Sequence, residues 1–100
     1  MADAYRVTVS PGARQDILRL HDFLIEKSPA AAERALAAFE QAFRFLAHAP
    51  LSFRVAKLDP LLREMVIAFG KTGYVVLFHV KAADVYVLAV RHSARTNFTS

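Results

Sequence analysis

Apolar and polar positions change period several times along the chain, and each change marks an element. Tyr5, Val7 and Val9 alternate with Arg6, Thr8 and Ser10, the period of a half-buried strand. Ser10-Pro11 ends that pattern. A serine caps a helix by accepting from a free backbone N–H, and proline at the first helical position loses no hydrogen bond, so a helix is predicted from residue 11. From Ala13 onward Ile17, Leu20, Leu24 and Lys27 recur at intervals of three and four, with Arg14, Asp16, Arg19, Asp22 and Glu26 on the other face. This is an amphipathic helix of about 17 residues, roughly 25 Å long. Ser28-Pro29 repeats the start signal and opens a second helix at once, so the two form a hairpin. Its predicted apolar stripe is Ala32, Leu36, Phe39, Phe43 and Leu46, with alanines 35, 37, 38 and 42 adding propensity and permitting close approach. Pro50 stops it, with His48 in the last turn.

Residues 51–60 have no clean period and read as a loop with a short extended piece at 53–57. Three strands follow, over 62–69, 74–81 and 85–92. They are separated by Gly70-Lys71-Thr72-Gly73, whose two glycines can take positive φ, and by Lys81-Ala82-Ala83-Asp84. The middle strand, YVVLFHVK, is nearly all apolar, as for a strand covered on both faces. The order β-α-α-β-β-β predicts an α+β fold, a helical hairpin packed on one face of a small, largely antiparallel sheet.

Composition narrows the functional classes. With 100 residues, 55% of them hydrophobic, the chain reads as one domain over 1–100 with ample material for a core. Cysteine is absent, which removes disulfides and thiolate metal sites. No basic stretch followed by an apolar run marks the N-terminus, and no apolar run is long enough to span a bilayer, so a cytoplasmic location without membrane contact is expected. The net charge is +4, and it is uneven: six Lys/Arg face six Asp/Glu up to Phe53, against seven and three from Arg54 onward. Such asymmetry suits an anionic partner, nucleic acid or an acidic protein segment.

Glycine-rich phosphate loops, paired metal-binding histidines and nucleophile elbows are missing from the sequence. The four histidines, His21, His48, His79 and His92, lie on different elements with no i, i+4 pair, so neither a metal site nor a cofactor is expected. The candidate site is Arg91-His92-Ser93-Ala94-Arg95 after the last strand, where two arginines and a histidine at a strand end can grip phosphates or carboxylates. Arg63, at the start of the second strand, and Arg54 and Lys57, in the preceding loop, are candidates for the same surface. Leu18, Phe23 and Ile25, apolar positions off the main stripe of the first helix, are candidates for a partner-binding patch.

Several segments, in order, resemble the ParE/RelE toxin superfamily. YRVTVSPGARQDILRLHDFL is similar to the family's opening strand and helix, and SPAAAERALAAFEQAFRFLAHAP to its second helix. LLREMVIAFGKTGYVVLFHVKAADVYVLAVRHSART is similar to its terminal meander, ending in V-x-H-x-A-R from Val90 to Arg95. The resemblance implies the toxin of a type II toxin–antitoxin system, of the kind associated with plasmid stabilisation, neutralised in a hetero-oligomer by a ParD-like antitoxin. ParE-like members poison DNA gyrase and RelE-like members cut messenger RNA in the ribosome. For cleavage, Arg63, Arg91 and His92 are the candidate phosphate-binding and proton-transfer groups. The tail Thr96-Asn97-Phe98-Thr99-Ser100 brings no tyrosine, which points to gyrase and away from enzymatic action. Ribosome-dependent cleavage stays open through His92, as does a degenerate, non-toxic module that only binds antitoxin.

Overall fold

The computed structural model describes residues 4–57, 59–70 and 72–93. Strand β1 (Arg6–Val9) leads into helix α1 (Pro11–Lys27), then helix α2 (Pro29–His48), a 3₁₀ turn (Pro50–Ser52), and strands β2 (Arg63–Phe69), β3 (Thr72–Lys81) and β4 (Asp84–Ser93). Both serine-proline signals act as read from the sequence. Ser10 Oγ accepts from Ala13 N at 3.0 Å and Ser28 Oγ from Ala31 N at 3.2 Å. Ser28 also donates its own N–H to Leu24 O at 2.7 Å, so one residue closes α1 and opens α2.

The sheet order is β1-β4-β3-β2. β2, β3 and β4 form the antiparallel meander, and β1 joins β4 in parallel with Arg6 opposite Asp84. The fold is therefore α+β, with a mixed sheet carrying the hairpin on one face. Tyr74, Val76 and Phe78 of β3, Val85, Val87 and Val90 of β4 and Met65 of β2 meet Ala13 of α1 and Ala35, Phe39, Ala42 and Leu46 of α2 in the core. Phe78, Val76, Val85 and Val87 are wholly buried. Each such side chain contributes about 1.5–3 kcal/mol relative to exposure. Phe39 packs on Tyr74 with ring centroids 5.1 Å apart, and Phe53 meets Phe78 edge-on at 6.1 Å.

Three details depart from the sequence reading. In α2 the buried line runs through Ala32, Ala35, Phe39, Ala42 and Leu46, while Leu36 is exposed and Phe43 only half-buried. The small alanines sit where the helix approaches its neighbours most closely, and the larger residues flank that line. β3 is covered on one face only: Val75, Leu77 and His79 are half-buried because both helices lie on the side of Tyr74, Val76 and Phe78. The first hairpin turn is two residues shorter than read, since Phe69 already pairs with Thr72. Gly70 takes φ 62°, but Gly73 belongs to β3, where a Cβ would lie 2.7 Å from Ile67 O. No helix among the described residues is long and apolar enough to cross a membrane.

Candidate functional site

The helix-free face of the sheet carries Arg54, Lys57 and Arg91 of the C-terminal half. The loop after the 3₁₀ turn folds back along β2: Val55 bridges Arg63, Glu64 N donates to Arg54 O at 3.0 Å, and Ala56 N to Leu62 O at 2.8 Å. This brings Arg54 and Lys57 to the open face beside Arg91 of β4. They border a cavity of about 570 Å³ floored by Val75 and Leu77 and edged by Asp59, Leu62 and Glu64. Arg54 Nε is held by Glu64 Oε2 at 2.7 Å. Asp59 is turned to the backbone, accepting from Leu61 N at 3.0 Å. Lys57 and Arg91 have no ion-pair partner among the described residues. Two cations with uncommitted donors over an apolar floor suit an anionic group carried on a partly apolar partner.

His92 and Arg63 go elsewhere. Successive strand residues point to opposite faces, and His92, in register with Tyr74, turns toward the helices. Its Nε2 lies 3.1 Å from Thr72 Oγ1 and its ring 5.5 Å from Tyr74. It borders the basic cavity from the strand, but its ring lines a second cavity of about 410 Å³ with Leu20, Phe23, Leu24, Lys27 and Phe69. Arg63, in register with Phe78, donates from Nη1 to Phe53 O at 2.6 Å and fastens the loop. The expected convergence of Arg63, Arg91 and His92 on one surface is therefore corrected: alternation along β2 and β4 separates them across the sheet. Arg95 lies outside the described residues.

Two groups that sequence reading did not assign to the site reach the open face. Glu64 sits inside the basic cavity, and alternation on β2 is the signal that would have placed it there. Tyr86 pairs with His79 on the same face, where His79 Nδ1 lies 3.0 Å from Leu61 O. That pair is four residues along β3 from the Val75–Arg91 pair, about 13 Å away. Burial raises the Tyr74 phenol above its ordinary value of 10.0, so it stays neutral beside His92. On α1, Leu18, Phe23 and Ile25 are exposed at 54%, 56% and 44%, Leu18 and Ile25 on one flank of the helix and Phe23 on the other, beside the cavity that His92 lines, while the inner side is packed on α2 and β4. Among the described residues no three His, Asp or Glu side chains converge as metal ligands.

Comparison with known proteins agrees with this architecture. Residues 7–97 match the family described as the ParE toxin of type II toxin-antitoxin system, parDE. Two curated relatives from Caulobacter vibrioides are similar over 88 residues each. Toxin RelE3 is 32% identical, across 87% of this chain and 92% of its own length. Toxin RelE1 is 34% identical, across 88% and 92%. A chain of the chromosomal ParDE toxin–antitoxin system from P. aeruginosa superposes with a TM-score of 0.74 over 90% of this chain and 97% of its own, at 15% identity, a likeness of fold. With the pattern matched over nearly the whole sequence and the helical hairpin set on the same sheet, this chain belongs to the ParE toxin family of type II toxin–antitoxin systems.

Proposed function

We propose that this toxin acts by binding DNA gyrase through the open sheet face around Arg91, Lys57 and Arg54, and that a ParD-like antitoxin neutralises it. The observation that carries this reading is that no imidazole ring stands beside Lys57 and Arg91 on the open face. RNA cleavage needs a proton-transfer group within hydrogen-bond reach of the attacking or leaving oxygen at the phosphate that the cations hold. His92 turns to the helix side, and the His79–Tyr86 pair sits about 13 Å along the sheet from Arg91. Lys57 and Arg91 thus have no imidazole or phenol beside them on that face, and they suit charge-assisted contacts to a protein surface. Arg95, two positions after Ser93 in the sequence and outside the described residues, is proposed to extend the same contact.

A second reading, ribosome-dependent mRNA cleavage, is favoured by one observation: Glu64 stands among Arg54, Lys57 and Arg91, as a general base would. Its Oε2 is engaged by Arg54, which ranks this reading second. Two assays decide between them. A gyrase poison inhibits supercoiling by purified gyrase and leaves ribosome-bound mRNA intact. Site-specific mRNA cleavage on translating ribosomes, abolished by Glu64→Gln, transfers the assignment to the ribonuclease, and absence of growth arrest on induction leaves only antitoxin binding. The antitoxin is proposed to wrap α1 as an amphipathic segment, meeting Phe23 on one flank of the helix and Leu18 and Ile25 on the other. Phe23→Asp tests this, with weakened antitoxin binding at an unchanged melting temperature as the expected result.

A further inference from the structure

Counting alternate residues along β4 from the buried Val85 and Val87 puts Ala89 and Arg91 toward the helices and His92 on the open face. The structure has the reverse, because β4 holds one extra residue: Phe78 pairs with Val87 and Leu77 with Ala89, leaving Leu88 unpaired in a β-bulge. The inward positions then become Val90 and His92, and Arg91 emerges outward. β1 ends opposite Val87, so the outer edge of β4 has no strand partner at the bulge and beyond it, and α1 and its cap supply partners for the backbone groups there. Asp16 Oδ2 accepts from Val90 N at 2.9 Å, and Ser10 Oγ lies 3.3 Å from Leu88 O, to which it donates. Asp16 Oδ1 is fixed in turn by Arg19 Nη2 at 2.6 Å, which sets the rotation of the carboxylate. Ser10 N donates to Val87 O at 2.9 Å, joining the end of β1 to the residue before the bulge.

We infer that Asp16 is a positioning residue: by holding the Leu88 bulge from α1 it fixes Arg91 on the open face and His92 on the helix face. Its bearing on toxicity rests on the reading of Arg91 as a target contact, but the positioning itself is measurable without it. The sequence around it supports the role, since Arg91 turned inward would bury a guanidinium against Tyr74, and a carboxylate acceptor for the Val90 N–H keeps the alternative closed.

The test uses Asp16→Ala, Asp16→Asn and deletion of Leu88, alone and with Asp16→Ala, in the full chain. Deletion of Leu88 removes the extra residue while leaving Val87 opposite Phe78 and Ala89 opposite Leu77, so Arg91 keeps its face without needing Asp16. NMR amide exchange at Val90 and the Tyr74–His92 ring contact report the strand, and growth arrest on induction reports toxicity. The expected result is at least about tenfold faster Val90 exchange and loss of the ring contact in Asp16→Ala, parent behaviour in Asp16→Asn, and a ring contact that survives Asp16→Ala once Leu88 is deleted. Should Asp16→Ala fail to fold, recovery of folding by the Leu88 deletion supports the same conclusion. Slow Val90 exchange with an intact ring contact in Asp16→Ala overturns it, as does equal loss of the ring contact with and without Leu88. Displaced Arg91 with undiminished toxicity upholds the positioning and removes Arg91 from the target contact.

Discussion

Replacing Arg91 and His92 by alanine, one at a time, separates a contact with the target from a contact within the fold. Arg91 is exposed and has no hydrogen bond or ion pair among the described residues, so its removal changes stability by no more than about 0.5 kcal/mol. A charge-assisted contact to a target is worth about 1.5–3 kcal/mol, a ten- to hundredfold loss of affinity. His92 is different. Its ring rests 5.5 Å from Tyr74 and its Nε2 reaches Thr72 Oγ1 at 3.1 Å. A hydrogen bond contributes about 0.5–1.5 kcal/mol and an aromatic pair a similar amount. Because His92 is exposed, we take about 1 kcal/mol for the two together, a fall in Tm of about 4–8 °C for a chain of this size. Growth arrest at graded induction, thermal melts and supercoiling inhibition are measured for both variants. Arg91→Ala is expected to lose toxicity at parental Tm, and His92→Ala to melt earlier while still arresting growth at a temperature where it is folded. Full toxicity in Arg91→Ala, with loss of toxicity at unchanged Tm in His92→Ala, would refute the assignment of faces.

Four further outcomes are expected. Ala82 holds φ 54° in the β3–β4 turn, a conformation that costs a non-glycine residue about 1–2 kcal/mol, so Ala82→Gly raises stability by about 0.5–1 kcal/mol in urea unfolding after the added chain entropy is deducted. Gly73→Ala drives a Cβ to 2.7 Å from Ile67 O and costs about 1–3 kcal/mol by the same assay, with a parental midpoint as the contrary result. Phe78→Ala, at a wholly buried site, costs about 3–5 kcal/mol, a large part of the stability of a domain this size, and is read as loss of the cooperative transition at low denaturant. Tyr74 is harder to ionise folded than unfolded, so its contribution is complete below pH 10 and is lost as pH rises beyond it; the parent's alkaline destabilisation is expected to exceed that of Tyr74→Phe.

The elements were legible because their signals are local. Ser10-Pro11, Ser28-Pro29 and Pro50 act within a few residues of themselves, and the structure uses each of them as a cap or a stop. The exposure of Leu18, Phe23 and Ile25 was legible for the same reason, as positions off a clear stripe. The site was less so, because it depends on which face each strand residue takes. That is set by a single unpaired residue, Leu88, whose bulge is stabilised by Asp16 from 74 positions away in the chain. Period-two counting has no access to such a contact. The partial cover of β3 escaped for a related reason: an apolar strand reads alike whether its second face is under a helix or lines an open cavity, as Val75 and Leu77 do.

The parallel pairing of β1 with β4 has a consequence for when the toxin comes into being. Arg6 meets Asp84 across 78 positions, and β4 separates β1 from the rest of the sheet. During synthesis at about 5–20 residues per second, the opening strand waits some 4–16 s for its partner. Throughout that interval the helical hairpin lacks Val85, Val87 and Val90, the residues that close its core. The basic face is equally incomplete, since Arg91 arrives only near the end of β4. A nascent chain therefore lacks the surface proposed to meet its target for most of its synthesis, and one interrupted before β4 never acquires it.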